Sequence, residues 1–274
     1  MSDTPLICEV ADGWATLWFN RPEARNALSS DLTDLLLQHL SSLGDRADIR
    51  GLTLRGKGGI FCAGGDIKGF KAIYQGGQQN QADVAASSEA GGELFAAINE
   101  FPHPVIMLVE GAAMAGGLGI VCAGDVVIVT RDAKFALTET TLGIPPAQIT
   151  PFVVQRLGLS RARRLMLTAA RFDGTEAGEI GLADFVVADC AEAEAREATI
   201  RADVLRCAPS ANRITKEIVL KTRDLSGEAM RKFAAKGFAQ AMLSAEGVEG
   251  VSAFIEKRKP NWAVEAGEKH GKDK

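Results

Sequence analysis

Hydrophobic and polar positions along the chain predict two kinds of architecture in succession. Leu6-Ile7-Cys8-Glu9-Val10 and Trp14-Ala15-Thr16-Leu17-Trp18-Phe19 flank Asp12-Gly13. That dipeptide favours the left-handed backbone of a two-residue hairpin turn. After Ser30, Leu32, Leu35, Leu36, Leu40 and Leu43 recur at helical spacing. Short apolar runs at 51–55, 104–109 and 126–130 read as buried strands. The glycine- and glutamine-rich segment 75–86 is predicted to be a mobile loop placed like a lid, with a helix at 89–101. Beyond Glu139 every periodic segment reads as a helix: 148–157, 161–169, 175–180, 191–206, 212–222, 227–241 and 248–257. The expected organisation is an α/β part, residues 1–200, and a helical part, residues 201–274, whose charged end frays.

Composition narrows the function classes. The chain has 274 residues, 46% hydrophobic and 24% charged, which suits an ordinary globular protein with a sizeable core. A formal net charge of −4 argues against a general surface for nucleic acid or anionic membrane. No apolar run approaches the roughly 20 residues that span a bilayer. Met1-Ser2-Asp3-Thr4-Pro5 lacks the basic start and apolar core of a signal peptide. The five cysteines, Cys8, Cys62, Cys122, Cys190 and Cys207, are scattered and show no zinc spacing. Together these features predict a cytoplasmic protein in a reducing compartment.

The candidate chemistry lies in two glycine-rich stretches, Ile60-Phe61-Cys62-Ala63-Gly64-Gly65-Asp66-Ile67-Lys68 and Glu110-Gly111-Ala112-Ala113-Met114-Ala115-Gly116-Gly117-Leu118-Gly119. Each runs out of an apolar strand. Glycine lets backbone N–H groups approach a ligand closely, and two such turns can aim two amides at one oxygen, the geometry of an oxyanion hole. Other readings fit less well. Gly117-Leu118-Gly119 is followed by Cys122 where a dinucleotide fingerprint needs its third glycine. Cys62 has no histidine marked as its base, since His39 lies on an apolar helix, His103 between prolines and His270 in the tail. A buried, inert thiol is expected there.

Asn20-Arg21-Pro22-Glu23-Ala24-Arg25-Asn26-Ala27-Leu28, the 61–68 stretch, Gly116-Gly117 and the segment 247–258 together resemble the enoyl-CoA hydratase/isomerase (crotonase) family, in the family's order and over nearly the whole chain. The resemblance implies a spiral of ββα units with a helical C-terminal region that builds trimers, often paired into hexamers. It implies an acyl-CoA thioester as substrate, with coenzyme A as part of it and no separate cofactor or metal. The segments 138–154 and 167–174 look most like hydratases of branched glutaconyl-CoA thioesters, nearest the isohexenylglutaconyl-CoA hydratases of acyclic terpene breakdown and next the methylglutaconyl-CoA hydratases.

By motif match the amide donors are Gly65 and Gly116, each worth about 3 kcal/mol to an enolate by analogy with other oxyanion holes. If 118–123 is helical, the positive helix end at Gly116 adds to them. The family's second catalytic glutamate matches Glu139. An apolar pocket would raise its pKa toward a range useful for proton transfer. The first glutamate's position holds Gly119, a departure that also fits single-carboxylate isomerases. Carried over as CoA-ester contacts are Ala24, Ala27, Ala63, Asp66, Ile67, Met114, Gly117, Phe254 and Lys257, beside Gly65, Gly116 and Glu139. Lys68 and Lys71 are candidates for a distal substrate carboxylate, and helices around Met166 or Phe238 for an apolar groove.

Overall fold

The computed structural model describes residues 4–65 and 80–263. Asp66, Ile67, Lys68 and Lys71, with residues 75–79 of the expected lid, lie outside the described residues. The chain divides into two compact units, Met1–Phe101 with Val105–Glu197, and Pro102–Pro104 with Ala198–Lys274.

In the first unit β1 (Leu6–Ala11) and β2 (Trp14–Phe19) pair antiparallel, with Ala11 opposite Trp14. Asp12 and Gly13 between them have φ of 50° and 73°, as a two-residue primed turn requires. β3 (Gly51–Gly56), β4 (Val105–Val109), β6 (Val126–Thr130) and β9 (Phe185–Val187) then add in parallel, in the order β1-β2-β3-β4-β6-β9. All of β3 and β4 is buried. β4, Val105–Val109, is a continuous apolar run, as a strand covered on both faces should be, whereas β3 alternates Thr53 and Arg55 with its leucines and buries them too.

Between successive strands of this sheet the chain lays short strands in a second one. β5 (Ala112–Met114), β7 (Lys134–Ala136) and β8 (Phe172–Asp173) form a three-stranded sheet in the order β5-β7-β8. One turn of the spiral is thus β4, β5 and a helix; the next is β6, β7 and a helix. β8 and β9 correct the expectation that everything beyond Glu139 is helical. They are two and three residues long, and pairing with β7 and β6, not periodicity, creates them.

The helices of this unit are α1 (Ser30–Gly44), α2 (Gln81–Asn99), α3 (Gly116–Ala123), α4 (Thr150–Thr168), α5 (Gly174–Glu179) and α6 (Cys190–Leu205), which runs on into the second unit. Ser29, one residue earlier than the pattern suggests, caps α1 by accepting from Leu32 N–H. α1 buries Leu32, Leu36, Leu40 and Leu43. Asn80 Oδ1 caps α2 by accepting from Asp83 N–H at 3.0 Å. Residues 81–86, expected in a loop, are therefore the first turns of a helix that extends eight residues before the expected start. α4 breaks at Gly158 (φ 75°), matching the two helices read from the pattern.

The second unit holds the end of α6, then α7 (Pro209–Lys221), α8 (Gly227–Met242) and α9 (Ala245–Ile255). A cavity of about 280 Å³ in this unit is lined mainly by apolar side chains, among them Phe238, Met242, Val251 and Trp262.

Candidate active site

The two glycine-rich stretches leave the neighbouring parallel strands β3 and β4 and are laced together by their backbones. Phe61 N–H donates to Glu110 O at 3.1 Å, Cys62 N–H to Ala112 O at 3.0 Å and Met114 N–H to Cys62 O at 2.9 Å. The segment 21–28 closes over the first stretch: Ala63 N–H donates to Arg25 O at 3.0 Å, and Leu28 N–H to Gly64 O at 2.8 Å. This lacing places Gly65 beside Gly116. A Cβ built on Gly116 would stand 3.8 Å from Gly65 N, 3.4 Å from Leu28 Cδ1 and 3.8 Å from Phe95 Cζ.

Gly116 opens α3, so its N–H has no acceptor inside the helix. Among the described residues neither Gly65 N–H nor Gly116 N–H has a backbone acceptor. Two unpaired donors thus stand together at a positive helix end. Ala115, just before α3, has φ 49° and ψ −122°, a backbone that alanine rarely adopts. Gly64 (φ 93°) faces it, and a Cβ there would lie 2.8 Å from Met114 O. Gly117 is buried against Cys62, whose Cβ would be 2.9 Å from any Cβ at Gly117.

The second sheet brings Glu139 to this corner. Ala115 N–H donates to Ala136 O at 2.8 Å, immediately after the β5–β7 pairing. Glu139 follows three residues later, so its Cα is within about 11 Å of Ala136 Cα along the chain. It starts a 3-10 turn, Glu139–Leu142, closed by Gly143. Thr140 Oγ1 holds that turn to Met166 O at 3.2 Å. Among the described residues Glu139 Oε2 is buried without a hydrogen-bond partner. Loss of hydration pushes the carboxyl above its ordinary value, and a hydrogen bond to the residue's own backbone offsets this only in part.

The other sequence-predicted residues are spread more widely. Ala24 ends the 3-10 turn Pro22–Ala24, and Ala27 O accepts from Arg21 Nη1 at 2.7 Å. Ala63, Met114 and Gly116 are half-buried at the laced stretches. Phe254 is 85% exposed, and Lys257 is exposed, with φ 55°, just past α9 of the second unit. Cys62 is fully buried, and burial pushes its thiol up to about 12, which leaves it protonated and inert. Among the described residues no cluster of His, Cys, Asp and Glu has the make-up of a metal site. None of the described helices is long and apolar enough to cross a membrane.

Pattern reading passed over Asn26. It is fully buried with φ 55°. Its Nδ2 donates to Lys57 O at 3.0 Å and Ile60 O at 2.6 Å, and its Oδ1 accepts from Arg21 N–H at 2.8 Å. It therefore braces the first stretch against the segment 21–28. Its sequence signal is an asparagine set between Arg25 and Ala27, where a small polar side chain tolerates the left-handed backbone.

Comparison with known proteins gives a consistent result. The enoyl-CoA hydratase/isomerase profile matches residues 9–265. A probable enoyl-CoA hydratase of Bacillus subtilis is 32% identical, over 92% of this chain and 95% of its own. A Δ(3,5)-Δ(2,4)-dienoyl-CoA isomerase of Arabidopsis thaliana is 31% identical, over 90% of this chain and 91% of its own. Among solved structures, Pseudomonas aeruginosa AtuE superposes with a TM-score of 0.91 at 43% identity, covering 95% of this chain and all of that one. An enoyl-CoA hydratase/isomerase from Marinobacter aquaeolei gives 0.90 at 38% identity, covering 95% and 99%. The two-sheet spiral is thus the crotonase fold, and the chain belongs to the enoyl-CoA hydratase/isomerase family.

Proposed function

We propose that this protein hydrates a branched α,β-unsaturated acyl-CoA thioester, with isohexenylglutaconyl-CoA as the substrate. The observation that carries the chemistry is Glu139: among the described residues its Oε2 is buried without a hydrogen-bond partner, in a 3-10 turn three residues past Ala136, whose carbonyl accepts from the N–H of the residue before Gly116. A base held out of water, on the segment that bonds the residue before Gly116, suits proton transfer to a substrate whose oxyanion two amides hold.

In the hydration direction Glu139 takes a proton from water as the water oxygen bonds to the β carbon. The electron pair of the double bond moves to the thioester oxygen, where the Gly65 and Gly116 amides stabilise it. Collapse of the enolate takes a proton at the α carbon, from Glu139 or a second water. By the family resemblance Ala24 and Ala27 contact the nucleotide and pantetheine. Ala63, Gly65, Asp66 and Ile67 line the adenine and acyl-thioester region, with Met114 and Gly117 as further contacts. Lys257, with Phe254 packing nearby, reaches the CoA phosphate of a neighbouring subunit in a cytoplasmic homotrimer or dimer of trimers. The choice of acyl chain rests on the likeness of segments 138–154 and 167–174 to branched glutaconyl-CoA hydratases, and on Gly119. Methylglutaconyl-CoA hydration is the nearest alternative.

Double-bond isomerisation is the second reading, favoured by a single specific feature: one carboxylate suffices to move one proton between carbons, and Gly119 supplies no second. Incubation with branched and unbranched enoyl-CoA esters in heavy-oxygen water separates the readings. Label in the acyl product, greatest for the isohexenyl ester, is the expected result. A rearranged, unlabelled product would establish isomerisation. Tight CoA-ester binding without any turnover would instead identify a silent binding protein.

A further inference from the structure

At the root of the two glycine-rich stretches lies a buried ion pair that the chemistry above does not use. Arg55, the penultimate residue of β3 on the side of the first stretch, is only 5% exposed. Its Nη2 donates to Glu110 Oε2 at 3.2 Å, and its Nη1 to Glu194 Oε1 at 3.1 Å. Cys190 Sγ lies 3.3 Å from Nη2, and the guanidinium carbon sits 4.4 Å from the Trp18 ring centroid. Burial, with Glu110 beside it, pushes the Cys190 thiol up to about 11, so it is a neutral neighbour and the two carboxylates carry the opposing charge.

The position of Glu110 gives this cluster its meaning. Glu110 is the first residue beyond β4, where the second stretch begins. Its carboxylate takes Arg55, and its carbonyl takes Phe61 N–H of the first stretch. One residue therefore joins β3 to the second stretch through its side chain, and the second stretch to the first through its backbone. Beyond it, the bonds from Cys62 and Met114 carry the same register to Gly65 and Gly116. Removing the guanidinium would leave Glu110 a partly buried charge without a partner, and the carboxylate would turn toward water. Its backbone would follow, and the lacing with it.

We propose that Arg55 is a positioning residue for the oxyanion site: through Glu110 it sets the spacing between the Gly65 and Gly116 amides. The inference rests on the reading of those two amides as the holders of the thioester oxygen. A displacement of about 1 Å at a reacting centre is enough to cost on the order of a hundredfold in rate.

The test compares Arg55→Met, Arg55→Lys and Glu110→Gln with the parent by kcat, KM, thermal unfolding and the absorption of a bound arylacryloyl-CoA. A conjugated thioester shifts to longer wavelength when two donors polarise its carbonyl. The expected result is a fall in kcat of tenfold or more for Arg55→Met, with KM within threefold, a smaller red shift of the bound probe, and partial recovery in Arg55→Lys. A purely structural pair would lower the melting temperature and leave red shift and kcat at parent values, which overturns the proposal. Should Arg55→Met fail to fold, Glu110→Gln keeps the shape while removing the charge, and an unchanged red shift there is equally fatal. A parent protein that binds the probe without any red shift would instead refute the oxyanion reading itself.

Discussion

The Ile149 side chain lies directly on the Cα of Gly119: a methyl group at Gly119 would overlap Ile149 Cγ2 and stand 2.7 Å from Ile149 Cβ. Phe95 Cε1 would be 3.2 Å away on the same side. Ile149 and Phe95 are 4% and 6% exposed, so neither has room to withdraw. The position that departs from the two-glutamate pattern is therefore not an open seat. It is filled by packing.

Gly119→Glu is accordingly expected to destabilise the fold without adding hydratase activity, because overpacking a core position costs about 1–3 kcal/mol and this one also buries a charge. Thermal unfolding and crotonyl-CoA turnover read both effects. Pairing it with Ile149→Ala should recover part of the lost melting temperature. A Gly119→Glu protein as stable as the parent would show that Ile149 moves freely.

Glu139→Gln should lower turnover by about 10²–10⁴, the usual worth of a positioned general base. Affinity for a CoA ester, measured calorimetrically, should stay within a few-fold, since the amide keeps the shape of the site. Activity near the parent level would remove Glu139 from the mechanism.

The raised pKa of Glu139 has consequences of opposite sign for rate and stability. In the proposed hydration Glu139 takes the proton from water in its ionised form, so kcat/KM should fall as pH drops through a value above the ordinary 4.5. Stability runs the other way, because the native state holds the proton more tightly than the unfolded chain does. The contribution is complete below the unfolded value and is lost as pH rises through the folded one. Glu139→Gln should thus be more stable than the parent at pH 7, and the advantage should close by about pH 4. Denaturant titrations at the two pH values would reveal a reversed order.

Gly64→Ala places a side chain at φ 93° and brings its Cβ within 2.9 Å of Ala115 Cβ. Strain of this kind costs about 1–3 kcal/mol. Because Gly65 follows immediately, kcat should fall along with stability. Circular dichroism melts and steady-state rates on the same preparation would separate the two losses.

Asn26→Asp exchanges two buried donations, to Lys57 O and Ile60 O, for a carboxylate facing two carbonyls. Each carbonyl left without a donor costs about 1–3 kcal/mol. A marked loss of stability is expected, larger than for Asn20→Asp, because Asn20 is only half-buried where Asn26 is fully buried. Equal effects in chemical denaturation would show that the brace is dispensable.

Much of the framework was legible in the chain. The β1–β2 turn, the buried runs of β3, β4 and β6, and the leucine face of α1 all follow from local pattern. The short strands β5, β7 and β8 were not, because two or three residues carry no period and exist as strands only through their partners. The extra turns of α2 were missed for a related reason. Small and polar residues at 81–86 look like a loop until Asn80 is seen to cap them.

The sequence by itself determined which residues are chemically eligible: two glycine-rich stretches, a glutamate in an apolar setting, and a glycine at 119. Tertiary structure decided what those residues meet. It set Gly65 beside Gly116, hung Glu139 from the same corner through Ala115 and Ala136, packed Ile149 onto Gly119 and joined Arg55 to Glu110. The division has a physical cause. Turns, caps and apolar faces arise from neighbours in the chain, whereas these contacts span some 20 to 55 residues and form only when the whole core packs and sheet register brings their backbones together.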